Sequence, residues 1–170
     1  MRGWIIVMII TVLAIPALPA YSQSSGDLAT VVIPLAASVP RTEALPEAEA
    51  ALLSLLNQVR RQHRLPPLSM DASLRQAARL HSRDMASRGF IGHGSAGGAS
   101  FAGRLTGVVR DGTLVGENVT LAGSVEQAHS AFVASAPHLR NIIEPRFRRV
   151  GVGVAGAGEL GLFITQDFAE

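Results

Sequence analysis

The sequence predicts an α+β domain in which helices cover a small antiparallel sheet. Apolar residues recur at helical spacing through the first two thirds of the chain, and the last twenty residues alternate instead. Strand and helix do not follow one another regularly, as they would around a parallel sheet.

Ahead of the domain, Met1-Arg2-Gly3 and the apolar run Trp4 to Ile15 end at Pro16 and Pro19 and read as a secretory signal. The small-x-small pattern Ala20-Tyr21-Ser22 places cleavage after Ser22, and the run is shorter than the ~20 residues a membrane span needs. An uncleaved anchor is the alternative, and either puts the domain outside the cytoplasm. Cleavage would leave no stable membrane insertion, and the product is expected to be a secreted or periplasmic monomer. Residues 23–46 carry Pro34, Pro40 and Pro46 among small residues and read as an extended tether, leaving 47–170 for the domain. The alternation of Val31, Ile33 and Leu35 is compatible with a strand that nothing nearby commits.

Leu52, Leu55, Leu56 and Val59 define a first amphipathic helix, stopped by Leu65-Pro66-Pro67. Asp71 caps a second, with Leu74, Ala77, Ala78, His81 and Met85 on its buried stripe and Gly89 at its end. Gly92 to about Gly103 reads as a loop of Gly, Ser and Ala suited to lining a cleft. Ser124 and Gln127 form a capping box for a third helix bearing Val125, Ala128, Phe132 and Val133. Ser135-Ala136-Pro137-His138 opens a short helical piece through Ile143. Val150, Val152 and Val154, then Leu160, Leu162, Ile164 and Phe168, predict a closing hairpin.

The net charge of +2 is uneven: residues 52–170 carry 13 Arg against nine acids. All 15 basic residues are Arg, so this charge does not titrate at ordinary pH. Aromatic residues make up only 5% and no basic run is interleaved with them, which argues against nucleic acid as a partner. The absence of cysteine excludes disulfides, thiolate metal sites and a Cys nucleophile. An exported domain without disulfides must be held by its core alone.

Eight segments fall in an order that resembles the CAP superfamily, or SCP-like extracellular domain, in its bacterial cysteine-free form. They are Leu56-Asn57-Gln58-Val59-Arg60, Leu65 to Leu68 with Asp71, Ala77 to Met85, Phe90-Ile91-Gly92-His93, Gly116-Glu117-Asn118, Ser135 to Ile143, Val150 to Val154 and Phe163 to Phe168. The resemblance implies an α-β-α sandwich with a surface cleft whose His and Glu in some members bind a divalent metal, and associations with lipid or sterol binding, immune and venom roles and, in a few members, proteolysis. It implies no shared reaction.

By that resemblance His93 corresponds to the first cavity histidine and Glu117 to the glutamate of the Gly-Glu-Asn motif. His138 is supplied by the bacterial Ser-x-x-His turn. The eukaryotic pattern adds a Glu and a second His where this chain has Ser135 and Phe163. Two imidazoles and one carboxylate suit Zn first, then Mn or Fe, with open positions for water or ligand, and no organic cofactor is implied. The competing reading of a Glu beside His is an ion pair that pins loops.

Asn57, Arg60, Asn118, Ser135 and Asn141 are assigned to the cleft or its support, by default through hydrogen bonds between segments. His81 reads as a core histidine. Ser135 with His138 invites a nucleophile-base reading, but neither an orienting acid nor a Gly-x-Ser-x-Gly turn accompanies them. The expected function is a non-enzymatic module binding a lipid, glycan or peptide. The alternatives are a metal-assisted hydrolase and an inert envelope domain.

Overall fold

A computed structural model describes Val31–Val32 and residues 44–170 except Ala96. The stretch expected to be a signal segment and most of the expected tether lie outside the described residues. In chain order the elements are β1 (Val31–Val32), α1 (Pro46–Gln62), β2 (Ser69–Met70), α2 (Ala72–Arg88), β3 (Phe90–Ile91), α3 (Phe101–Arg104), β4 (Val115–Ala122), α4 (Val125–Ala134), α5 (Ala136–Ile142), β5 (Arg149–Gly156) and β6 (Leu162–Ala169). Among the described residues no helix is long and apolar enough to cross a membrane.

The main sheet runs β2-β5-β6-β4, and β1 pairs with β3 in a separate ribbon. β5 and β6 form the antiparallel hairpin and β4 adds antiparallel to β6. The short edge strand β2 pairs parallel with β5, a departure from the purely antiparallel expectation. Two residues following a proline turn carry no alternation from which this could be read.

Alternation in β5 and β6 sorts side chains to the two faces of the sheet. Val150, Val152, Val154, Ile164 and Phe168 pack with Leu52, Leu56 and Val59 of α1, Phe132 of α4 and Ile142 of α5. On the opposite face Met85 and Ala86 of α2 meet Phe90, Val119 and Phe163, while Leu74 and Ala77 meet Phe101, Leu105 and Val115. Gly151 and Gly153 also face α2. A Cβ built on them would stand 2.1 Å and 2.3 Å from the backbone of Leu74 and Ala78, so helix and strand touch main chain to main chain.

α2 is bounded as its sequence dictates. Asp71 accepts bonds from Ser73 and Leu74 N–H, and Gly89 ends the helix in the left-handed region at φ 67°. At α4, Ser124 accepts from Gln127 N–H, but the Gln127 side chain reaches Gly123 N–H rather than Ser124, so the reciprocal half of the box is displaced by one residue.

Three boundaries differ from expectation. α1 begins at Pro46, and Leu45 N–H already bonds the Val154 carbonyl, so the chain is tied to the sheet before residue 47. The Gly-rich loop ends at Ser100, whose hydroxyl caps α3 while Phe101 is buried. Leu160 lies in a 3-10 turn between the hairpin strands and is 37% exposed, off the buried face.

α1 is fastened by two buried charges. Glu49 takes Arg75 at 2.9 Å and Arg79 at 2.6 Å, joining it to α2. Arg60 is fully buried and donates to the carbonyls of Pro66, Ile142, Glu144 and Phe147. Burial and nearby Arg148 push its pKa down against Glu144.

Candidate functional site

Strand β4 sets the geometry of the site. Glu170 N–H donates to the Leu114 carbonyl, so with Val115 opposite Ala169 the even-numbered residues of β4 exchange bonds with β6. The odd-numbered Val115, Glu117, Val119 and Leu121 therefore turn their N–H and C=O groups outward, along the edge of the sheet. Asn141 donates to the outward carbonyl of Glu117 at 3.0 Å. The Glu117 side chain points to the α2 face together with Val115 and Val119, whose partners lie there.

On that face the residues following β3 bring His93 to Glu117. His93 donates from Nδ1 to Glu117 Oε1 at 2.8 Å, both side chains being buried. Arg104, at the end of α3 and just past the stretch expected to be loop, donates to Glu117 Oε2 and to the His93 carbonyl. One guanidinium thus joins the loop to the strand at both of its ends. His81 donates from Nε2 to the Gly92 carbonyl at 2.8 Å and stands 3.9 Å from Glu117 Oε2, while its buried Nδ1 meets no partner. It is a core histidine satisfied on one side only.

Burial pushes the Glu117 carboxyl up, but the His93 hydrogen bond and the charges of Arg104 and His81 outweigh it and hold it below the usual carboxylate range. Directly across the ladder lies Asp167, fully buried, its carboxyl facing that of Glu117. Burial, then the neighbouring Glu117 carboxylate, push Asp167 well above its ordinary range against the pull of Arg104. Of these two adjacent buried carboxyls, Asp167 is pushed toward its protonated form and Glu117 is held toward its ionised form.

His138 stands on the other side of the sheet. Asn118 donates to the His138 carbonyl at 3.2 Å and to Gln166 Oε1 at 3.1 Å, and Asn141 donates to Asn118 Oδ1 at 2.9 Å. These amides lock α5 against β4. The His138 ring packs edge-on against Phe132, and its buried Nε2 has no hydrogen-bond partner. Burial, then the positive field of His93, push its pKa down to about 4. The two imidazoles sense one another but belong to different layers.

The supporting residues fall into place around this frame. Asn57 pairs with both the N–H and C=O of Leu68 at 2.8 Å and 3.0 Å, fixing the turn that follows α1. Ser135 is buried at the junction of α4 and α5, where its carbonyl takes Leu139 N–H.

The expected metal set does not fit this arrangement. Glu117 is engaged on both oxygens, one of them by a permanent positive charge, and His138 lies in the opposite layer. Among the described residues no group of three His, Asp or Glu side chains is placed to hold a cation.

Stability carried by His138 has a defined sign. Its folded pKa lies below the ordinary 6.5, so the unfolded chain binds the extra proton. The contribution is complete above about pH 6.5 and is lost as pH falls toward 4, about 3 kcal/mol in all. In melts of wild type and His138→Gln from pH 7 to 4, the stability difference should move against wild type by about that amount. Parallel curves would contradict the buried neutral ring.

Residues 53–168 match the family model of the CAP, or cysteine-rich secretory protein, family. The protein YkwD of Bacillus subtilis is 28% identical over 113 residues, spanning 66% of this chain and 44% of the relative. An extracellular protein containing an SCP domain from Bacillus anthracis superposes with a TM-score of 0.66 at 29% identity, covering 74% of this chain and 41% of that one. An outer surface protein of Borrelia burgdorferi gives 0.68 at 16% identity, over 76% and 98%, a likeness of fold alone. The chain spans less than half the length of the two Bacillus proteins. With the family model matching residues 53–168, more than half of the sequence, this chain belongs to the CAP family.

Proposed function

We propose that the chain is an exported binding module that takes an extended peptide along the outer edge of β4 without turning it over. The outward N–H and C=O of Val119 and the outward N–H of Leu121 carry this reading, while the Leu121 carbonyl accepts the Thr120 hydroxyl at 3.4 Å. They lie on the strand at the end of the sheet order, beside the Glu117 cluster and His138. A peptide strand is the ligand that satisfies such a row by its main chain. Val119 is buried, so the ligand enters from the half-buried Thr120–Ala122 end. Export is supported by the apolar N-terminal segment and by the Bacillus anthracis relative, which is described as extracellular.

Within the cluster the side chains hold rather than react. Glu117 is neutralised by Arg104 and bonded to His93, so it fixes the loop to the strand instead of activating water. The test uses an array of unstructured decapeptides, their backbone N-methylated counterparts, anionic and neutral lipid vesicles, soluble glycans and fluorescein-labelled casein. Saturable binding of peptides that is lost on N-methylation at alternate residues, with intact casein, is expected. Binding to vesicles or glycans without peptides, or cleavage of casein, would overturn the reading.

A further inference from the structure

The family pattern leads to a divalent cation at His93, Glu117 and His138, yet the side chains set a different cation beside the carboxylate. We infer that Arg104 is the resident counter-charge of the Glu117 cluster and that this chain takes no divalent metal at those three residues. The inference goes beyond the peptide-binding reading and does not rest on it.

Arg104 does mechanically what a metal would do. It binds Glu117 Oε2 on β4 and the His93 carbonyl on the loop, and so ties together two segments that the sequence separates by more than twenty residues. Its charge is permanent, unlike that of a histidine or lysine that could shed a proton to admit a cation. The Arg104 side chain is 10% exposed and that of Glu117 1%, so solvent and salt screen the pair weakly.

A metal at a Glu117 oxygen would have to lie against the guanidinium or expel it. Expulsion would forfeit two charge-assisted hydrogen bonds. The remaining Glu117 oxygen already accepts the His93 Nδ1 proton, and the His138 ring packs edge-on against Phe132, in the cluster on the α1 side of the sheet. The three expected ligands therefore do not converge, and the two that do meet, His93 and Glu117, are closed to a cation while Arg104 is present.

Full-length mature protein stripped with chelator and dialysed against Zn and Mn salts tests this by metal analysis and by melting temperature. Wild type is expected to retain no stoichiometric ion and to melt at an unchanged temperature up to millimolar metal. Arg104→Met, which frees the carboxylate, should take up one ion per chain, with a melting temperature that rises with metal concentration. Adding His93→Ala should abolish that gain. Should Arg104→Met fail to fold, Arg104→Gln keeps a donor to Glu117 without the charge and serves the same comparison. A wild-type protein that holds a metal lost on His93→Ala would overturn the inference, as would a folded Arg104 variant that takes up no more metal than wild type. Peptide binding measured with chelator present keeps this outcome separate from that of the function proposed above.

Discussion

Replacing Gly151 and Gly153 together by alanine is expected to leave the domain unable to fold. Each new methyl would stand within 2.5 Å of several main-chain atoms of α2, Leu74 and Arg75 in one case, Ala78 and Arg79 in the other. Backbone cannot rotate aside as a side chain can, so α2 would have to lift from the sheet along the strand it packs against most closely. Overpacking of this kind costs roughly 3 kcal/mol per site at its upper end, and a domain of this size has only about 5–15 kcal/mol to lose. Gly156→Ala is the control, because its methyl would meet only Leu45 Cδ1 at 3.7 Å, an ordinary contact. Circular dichroism and urea titration separate the outcomes. A double variant that melts like wild type would show that α2 does not rest on the hairpin as described.

Arg60→Met is expected to destabilise the fold by about 4 kcal/mol, a fall in Tm on the order of 15 °C for a domain of this length. Methionine fills the volume but leaves four carbonyls without their donor, from the turn after α1, the end of α5 and the segment leading into β5. Buried acceptors stripped of partners cost far more than a surface ion pair. Arg60→Lys should fall between the two, since three donors on a point charge do not reproduce a planar fork reaching four oxygens. Equal stability of wild type and Arg60→Met would mean that water replaces the guanidinium at little cost.

The residues most legible in the sequence are those whose signals are local. Asp71, Gly89 and the stripe between them mark α2 because capping and helical period are written within seventeen residues. Val150, Val152 and Val154 mark β5 for the same reason. The meeting of His93 and Glu117 was legible only through resemblance, as neither residue's spacing points to the other.

What escaped depends on register or on very short elements. α3 is four residues long and sits in a Gly, Ser and Ala stretch without period, so its Ser100 cap and buried Phe101 give too weak a signal to place Arg104. Asp167 was visible as part of a motif, but its pairing with Glu117 exists only once β4 lies opposite β6 in the observed register. His138 illustrates the reverse case. Its motif is plain, yet the alternation of β4 sends Glu117 to one face and Asn118, which fixes α5, to the other.

The most direct measurement of the edge-strand claim is residue-resolved amide exchange along β4, with and without a peptide that binds in the array. In the free protein Leu121 should exchange faster than Thr120, because its N–H points away from β6 while that of Thr120 lies in the ladder. On peptide addition Leu121 and then Val119 should gain protection with a period of two, leaving Asn118 and Thr120 unchanged. Protection that ignores this alternation, or a peptide that protects residues elsewhere and leaves Leu121 as it was, would contradict the proposed site.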